Sequence, residues 1–256
     1  MSTNSLRASH FETSKSMRRS ESPGSITLFG NFARVLTILL AAVTALLTIS
    51  CGSSTQLRSP ATSAITGMRG HVHGGQQPIT GSTIQLYAAG TAADGSAATP
   101  LLTTPVTTDS SGDFTITGDY TCPTNSADDV YLAATGGNPG LAPGTNNATI
   151  SMIAALGPCG SLNSSTYVFV NEATTIASVF PFTQFMSSYS HLGSGSADAV
   201  QLDTTFSTVN EFVNTTNGTA PGPALPAGEG ADTTKLYTLS DIVATCINSP
   251  GGVSGR

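Results

Sequence analysis

Two histidines, His71 and His73, stand two residues apart in the stretch GHVHG, a spacing that two metal ligands could use. On a β-strand both side chains would point to the same side, where a third ligand could complete a metal site. Arg69 falls on that same side and would repel a cation, so an exposed polar strand face is the better interpretation. We therefore predict no metal ion and no cofactor, with His71 and His73 as weak metal candidates.

Three carboxylates raise the possibility of hydrolytic chemistry. Glu172 with Asp198 or Asp203 could form the acid pair of a glycoside hydrolase. However, the sequence contains no Trp that could stack on a sugar, and His191 is alone in its loop. A nucleophile elbow of the form Gly-x-Ser-x-Gly and a phosphate-binding glycine loop with Lys are both missing from the sequence. We expect no catalytic residues and no enzymatic activity.

Two further acidic pairs could hold a calcium ion. They are Asp109 with Asp113, and Asp128 with Asp129. Neither spacing contains the series of oxygen ligands of an EF-hand loop. Asp is common in turns because its side chain bonds to nearby backbone amides, so a role in turns and solvated loops is favoured.

The sequence has four cysteines, and a signal-like segment before Cys51 places them in an oxidising compartment, where disulfides persist. Cys122 and Cys159 each follow a predicted strand within one domain, and we therefore pair them in a disulfide. Cys51 follows a signal-like segment, which leaves Cys246 without a partner. A zinc site is not expected, because the sequence has no Cys-x-x-Cys pair and no His near these cysteines.

The N-terminal segment has the pattern of an export signal. Residues 35–49, VLTILLAAVTALLTI, form an apolar run without a charge that follows Arg34 and precedes Cys51. The sequence LLTISCGSS resembles a bacterial lipoprotein signal, in which the Cys is lipidated, for example with palmitate, after cleavage. An uncleaved anchor helix and plain secretion are the alternatives, and translation could begin at Met1 or Met17.

All three alternatives place the rest of the chain outside the cytoplasm. We predict a signal or lipid-anchor segment over residues 1–51, a flexible tether over residues 52–65, and attachment to the outer membrane or cell surface. The membrane is thus an expected partner through the N-terminal lipid or anchor helix.

Composition excludes several classes of partner. The chain has 256 residues and a formal net charge of −6. After Cys51 the sequence contains four basic residues and thirteen acidic residues. Binding to nucleic acid or to anionic lipid head groups requires clusters of Lys and Arg, and the sequence after Cys51 has none. Low charge with abundant Ser, Thr and Gly is typical of secreted β-rich scaffolds.

Residues 66–170 have the alternating pattern of short β-strands. In MRGHVHG the side chains of Met68, Gly70 and Val72 fall on one face. About seven such strands, separated by turn residues, predict an antiparallel sandwich.

The stretches GHVHGGQQPITGSTIQLYAAG, TTDSSGDFTITGDY and DVYLAATGG resemble the carboxypeptidase regulatory-like domain, a prealbumin-like sandwich. The resemblance implies a mainly β, Greek-key-type sandwich and a non-catalytic role as spacer, adhesion unit or carbohydrate-contacting module. Asp109 and Gly112 would form a hairpin turn, and Val72, Ile84, Leu86 and Phe114 would fill the core. The matching positions are Gly70, Val72, Pro78, Ile79, Gly81, Ile84, Leu86, Thr108, Asp109, Gly112, Phe114 and Tyr120.

Residues 171–256 change to a helical period and predict a short α-helical extension of three amphipathic helices, which could pack on each other or on the sandwich. Each helix has apolar residues at helical spacing: Ile176, Val179 and Phe180 in the first, Val200, Phe206, Val209 and Phe212 in the second, and Leu236, Leu239, Ile242, Val243 and Cys246 in the third. Asn171 is a candidate N-cap, and Glu172 lies in the first turn, where the helix dipole favours an acid. The leading interpretation is a non-catalytic, lipid-anchored surface protein with a structural or interaction role. The alternatives are a carbohydrate- or peptide-binding module of a larger extracellular protein, and a secreted hydrolase of unrecognised type. The extracellular glycan or protein partner remains open.

Overall fold

The computed structural model describes residues 67–118, 120–125 and 128–251. The predicted signal segment, the lipidation site Cys51 and the tether over residues 52–65 lie outside these residues. Within the described part of the chain, no helix combines the length and the apolar character needed to cross a membrane.

The strands of the first sheet are β1 (Met68–Gly74), β2 (Gln77–Pro78), β6 (Asp113–Ile116) and β9 (Tyr167–Val170). Strand β1 alternates buried and more exposed residues as the sequence predicts. It pairs in antiparallel fashion with β2 and β6, but β9 joins β1 in parallel, with Gly70 opposite Val168. This parallel pair departs from the expectation of a purely antiparallel arrangement.

The strands of the second sheet are β3 (Thr83–Ala88), β4 (Thr99–Pro100), β5 (Val106–Thr107), β7 (Asp129–Thr135) and β8 (Ser151–Pro158). The sheet is antiparallel and has the order β4, β3, β7, β8, with β5 also paired to β3. Six of the seven residues of β7 are buried, so both faces of this strand are covered. A strand buried on both faces has a continuous apolar sequence, which explains the run VYLAA.

One hydrophobic cluster, the inner core, contains side chains from both sheets. It includes Val72 and Phe114 of the first sheet and Ile84, Leu86 and Leu132 of the second. Four of these five are the core residues expected from the sequence resemblance. The described residues are thus β-rich, with mostly antiparallel sheets and three α-helices.

Gly70 allows a close approach between strands of the first sheet. A Cβ atom at this position would lie 2.3 Å from both Phe114 Cζ and Val168 O, well inside contact distance. Gly112 has a φ of 78° and closes the turn before β6, where Asp109 Oδ1 accepts from the amides of Ser111 and Asp113. Both glycines therefore have steric reasons for their place in the sequence.

Three helices follow the strands: α1 (Glu172–Phe182), α2 (Ala199–Phe212) and α3 (Thr233–Ile247). Asn171 caps α1 as the sequence predicts, because its Oδ1 accepts from the amide of Thr174 and its own amide donates to the Thr174 hydroxyl. Pro181 lies in the last turn of α1, and the helix ends one residue later. Between α1 and α2, a hairpin is formed by β10 (Met186–Ser188) and β11 (His191–Leu192).

A second hydrophobic cluster, the outer core, joins these helices to the second sheet. Tyr131 and Ile153 contribute from the strands, while Phe182 and Phe206 meet with ring centroids 4.7 Å apart. Helix α2 follows its sequence pattern in part, because Phe206 and Val209 are buried, whereas Val200 is exposed and Leu202 is buried instead. Helix α3 departs further: Leu239, Ile242 and Cys246 are exposed, and only Ser240 and Ile247 are buried.

Helix α1 also covers the outer edge of β8, the last strand of the second sheet. The amides of Ile153 and Ala155 donate to Thr175 Oγ1 and Ser178 Oγ, each at 3.2 Å. Both hydroxyls are buried. The edge strand thus satisfies its outward-facing amides through helix side chains instead of another strand.

The predicted disulfide is present. Cys122 and Cys159 are bonded with their Cα atoms 5.7 Å apart, and they close a loop with a sequence separation of 37. Cys159 is fully buried in the inner core, against which Cys122 packs. The bond therefore ties the segment after β6 to the 3₁₀ turn Cys159–Ser161 that follows β8.

Candidate functional site

The two histidines of β1 lie on the side of the strand opposite the inner core. Their ring centroids are 6.0 Å apart, and both rings contact Phe169. His71 Nδ1 lies 2.8 Å from Asp113 Oδ1 on the neighbouring strand. Burial lowers the pKa of His73, while nearby Glu172 opposes this shift. In the described ranges, no three His, Cys, Asp or Glu side chains are grouped so that they could hold a metal ion.

The carboxylates that resemble a hydrolase pair have different partners. Glu172 is buried at the start of α1 and accepts a hydrogen bond from the amide of Gly75. Asp203, in contrast, lines a pocket beside the start of β7. His191 Nδ1 lies 3.0 Å from Ser188 Oγ, but this is a local contact within the exposed β10–β11 hairpin. Glu172, Asp203 and His191 therefore lie in separate surroundings.

The two predicted acidic turns have different environments. Asp109 binds the amides of the turn before β6, which is the expected role. Asp128 Oδ1 accepts from Asn125 Nδ2 at 2.7 Å and also belongs to a loop. Asp129 differs, because it is the first residue of β7 and only 6% exposed. The sequence did not indicate this burial.

One apolar depression of the described residues is a groove of about 220 Å³ in the helical layer. We call it the helical groove. Its walls come from α1, the end of α2, the loop before α3, and the first two turns of α3. The lining includes five large apolar or aromatic side chains and one lysine: Ile176, Phe180, Phe212, Leu236, Leu239 and Lys235.

Exposed aromatic surface marks one wall of the helical groove. Phe180 is 66% exposed, and its ring contacts Phe212 edge-on with centroids 6.2 Å apart. Leu239, on the opposite helix, is 37% exposed. Apolar surface left open to water in a concave site is a common property of binding sites.

Local hydrogen bonds position the wall formed by α3. Asp232 Oδ1 accepts from the Lys235 amide and so begins the helix beside the groove. The Tyr237 hydroxyl accepts from the Ala220 amide at 2.9 Å and fixes the preceding loop to α3. At the other end, Asn147 Nδ2 donates to the carbonyls of Cys246 and Ile247. Both ends of α3 are therefore tied to the rest of the chain.

Sequence patterning alone missed this groove. The apolar residues of α3 indicated a helix that buries Leu239 and Ile242, whereas both are exposed. Phe180 shares a predicted helix face with Ile176 and Val179, yet it is exposed in the structure. Only the mutual position of the three helices shows which apolar residues remain open to solvent.

The sequence matches no model of a known protein family and no curated protein. One solved structure, a 9R-lipoxygenase from Cyanothece PCC8801, is similar over 54% of this chain and 22% of the lipoxygenase chain. The TM-score is 0.28 and the sequence identity is 15%. This chain therefore spans less than a quarter of the lipoxygenase, and a likeness this low supports neither a shared fold nor a shared activity.

Proposed function

We propose that this chain is a non-catalytic, extracytoplasmic interaction protein, anchored to a membrane through a lipid on Cys51, that binds a partner protein in the helical groove. The open apolar groove with Phe180 on its wall is the observation that carries the interaction role. The Cys122–Cys159 disulfide supports the compartment, since such bonds persist outside the cytoplasm.

We further propose that the two sheets form a Greek-key-type sandwich of the carboxypeptidase regulatory-like kind. The inner core shared by both sheets supports this assignment, as does the turn built by Asp109 and Gly112. In this view the sheets are a rigid scaffold. The helical extension is then the part that meets a partner, because it covers the second sheet through the outer core and carries the groove.

The groove fits apolar side chains of an extended peptide segment better than a glycan or an enclosed small molecule. Its volume of about 220 Å³ is below the roughly 300–1,000 Å³ of typical small-molecule pockets. Such a volume suits one or two large anchoring side chains of a protein partner. Glycans require convergent polar groups, whereas the groove has its charged residues, Asp232 and Lys235, at one end.

The charge of the groove further limits which peptide segments would bind there. Lys235 is the only Lys or Arg among residues 70–251, so the groove presents a positive charge on an otherwise acidic surface. A segment with an aromatic or aliphatic anchor next to a carboxylate would place the carboxylate near this ammonium group. We therefore commit to an apolar peptide segment with an adjacent acid as the occupant.

A peptide array tests the binding role, with a glycan array as the second arm. We expect the full chain to bind peptides that combine large apolar residues with an acid, and Phe180→Ser to weaken this binding at least tenfold. Val200→Ser is the matched control, because Val200 is 73% exposed but does not line the groove. Binding to glycans alone, or to no peptide, would overturn the proposal, as would equal effects of the two variants.

The anchor has its own test. Incorporation of labelled palmitate into the full chain and its recovery with membranes should both be lost in Cys51→Ala. Cys246→Ser, which removes an exposed free thiol, should change neither result. Membrane recovery of Cys51→Ala, together with no label in the parent, would disprove lipidation without affecting the groove.

A further inference from the structure

We propose that Asp129 and Asp203 form a proton-dependent latch between the second sheet and α2, which is closed while the two carboxyl groups share a proton and released when both are ionised. Asp129 is the first residue of β7, and Asp203 lies on the second turn of α2. A side-chain hydrogen bond joins their carboxyl groups. We call this bond the carboxyl latch.

A hydrogen bond between two carboxyl groups requires a proton. An ionised carboxylate only accepts hydrogen bonds, so one of the two groups must be protonated and donate its O–H to the other. When both groups have lost their protons, two negative charges face each other at hydrogen-bond distance and repel. The carboxyl latch therefore exists in one protonation state of the pair and not in the other.

Burial decides which of the two residues keeps the proton. Asp129 is 6% exposed, whereas Asp203 is exposed to solvent. A charge on the buried group would have lost its water, so the neutral form of Asp129 is favoured. Burial, the charge and the hydrogen bond of Asp203, and the charge of Asp128 together raise the pKa of Asp129 to about 7.

The other elements packed against Asp129 carry no titratable group towards it. On β8 the neighbour is Gly157, where a Cβ atom would lie 4.0 Å from Asp129 Oδ1. At the end of β3, the amide of Ala89 donates to the backbone carbonyl of Asp129 at 3.0 Å. Residues 194–196, which line the same pocket of about 270 Å³ as Asp129 and Asp203, are Ser and Gly.

No positive side chain of the described ranges stabilises an ionised Asp129. Buried charges are normally paired with an opposite charge. Arg69 and Lys235 are the Lys and Arg residues of these ranges, and neither lines the pocket between β7 and α2, nor does a histidine. Ionisation of Asp129 is therefore opposed by its two acidic neighbours and supported by no cation of the described chain.

The carboxyl latch lies at the edge of the outer core. Leu202, next to Asp203 on α2, is buried in the outer core together with Phe206 and Val209. Repulsion between two ionised carboxylates would act against this packing, and the pocket beside them has room for water when the groups separate. We therefore expect α2 to be held on the sheet at acidic pH and to loosen from its N-terminal half as Asp129 ionises.

The direction of the pH dependence follows from proton binding. In the unfolded chain an Asp side chain releases its proton near its ordinary pKa of 3.8, whereas folded Asp129 keeps its proton up to about pH 7. Between these values Asp129 binds more protons in the folded state than in the unfolded state, so a rise in pH favours unfolding. The stabilisation is fully present below the unfolded pKa and is lost as the pH rises through the folded one.

Carbon-13 NMR of the full chain, labelled in its Asp side chains, follows the ionisation of Asp129 directly. Its carboxyl carbon should titrate near neutral pH in the parent. In Asp203→Asn, Asp129 gains an amide donor and loses a charged neighbour, so its titration midpoint should fall by at least about 1 pH unit. Asp241→Asn is the control, because it removes a carboxylate from an exposed position on α3 outside the pocket and should leave the midpoint unchanged. A midpoint below about pH 5 in the parent, or equal shifts in the two variants, would overturn the proposal.

Thermal unfolding and amide exchange test whether this titration acts on α2. The unfolding midpoint of the parent, measured relative to that of Asp129→Asn, should fall by at least about 4 °C between pH 5 and pH 8, since an Asn side chain does not ionise. Exchange at the Phe206 amide, corrected for its intrinsic rate, should be at least about tenfold faster at pH 8 than at pH 5 in the parent and equal at both in Asp129→Asn. A midpoint difference that is the same at both pH values, or equal protection of Phe206 in the parent, would show that no latch exists.

Discussion

Replacing Thr175 with Val, or Ser178 with Ala, would remove a hydroxyl group that accepts a hydrogen bond from the edge strand β8. The donor in each case is a backbone amide that points away from the sheet. The amides of Ile153 and Ala155 would then be buried beneath α1 without a partner. Val has nearly the shape of Thr, so the first substitution changes the hydrogen bond and little else.

The expected cost follows from the loss of these partners. A buried donor left unsatisfied destabilises a protein by about 1–3 kcal/mol. Thr175 also donates to the Asn171 carbonyl at 2.7 Å, but that carbonyl still accepts the Thr175 amide, so this loss adds little. Each single variant should therefore lower the free energy of unfolding by about 1–3 kcal/mol. The double variant should lose about 2–6 kcal/mol, a large part of the 5–15 kcal/mol typical of a domain.

Urea unfolding of the full chain, followed by circular dichroism, measures this cost. Thr204→Val is the matched control, because its exposed hydroxyl on α2 donates to a helix carbonyl at 2.8 Å and accepts no strand amide. Amide hydrogen exchange should accelerate at Ile153 in Thr175→Val and remain unchanged in the control. If Thr175→Val is within about 0.5 kcal/mol of Thr204→Val and Ile153 keeps its protection, the reasoning about the β8 edge is refuted.

Three further stability predictions concern other parts of the described chain. Replacing Cys122 and Cys159 together by Ala should lower the free energy of unfolding by about 4 kcal/mol in urea, because the bond closes a long loop of the unfolded chain. Gly70→Ala should cost at least about 1–3 kcal/mol by thermal unfolding, since its Cβ would overlap two neighbouring strands, whereas Gly230→Ala should be nearly neutral because nothing lies within 4 Å. Asn147→Ala should cost about 1–3 kcal/mol and speed amide exchange at the end of α3, where Asn147 donates to two carbonyls.

Each of these three predictions has an outcome that contradicts it. For the disulfide, the variant without Cys122 and Cys159 is compared with a Cys246→Ser parent. A decrease of less than about 1 kcal/mol in the free energy of unfolding would show that the bond does not constrain the unfolded chain. Equal midpoints for Gly70→Ala and Gly230→Ala would mean that the first sheet can adjust to the added methyl group. Unchanged exchange in α3 of Asn147→Ala would mean that the helix end is held by its packing alone.

Features that depend on neighbouring residues could be predicted from the sequence. The alternation of β1 follows from side chains that point to opposite faces along a strand. The cap at Asn171 follows from a side chain that reaches the third residue of the next helix. The pairing of Cys122 with Cys159 was accessible because two of the four cysteines lie in one strand-rich segment.

Features that depend on distant packing could not be predicted in this way. Strand β9 pairs in parallel with β1, and nothing in the local sequence of either strand indicates that the two pair. Asp129 has the sequence context of a solvated loop, yet the pairing of β7 with β8 and the position of α2 bury it. The periodicity of α3 gave its helix correctly but not its burial, because the helix contacts α1 along only part of its apolar side.

The parallel pairing of β1 with β9 also affects the order in which the chain can fold during synthesis. Strand β1 leaves the ribosome before the other strands of its sheet, but Val168, which pairs with Gly70 of β1, lies far along the chain. Until β9 has emerged, one edge of β1 is unpaired, and pairings between distant residues form slowly because a long loop must close. An exposed strand edge of this kind is prone to association with other chains. We therefore expect the nascent chain to require a holding chaperone until the segment through Val170 has been synthesised.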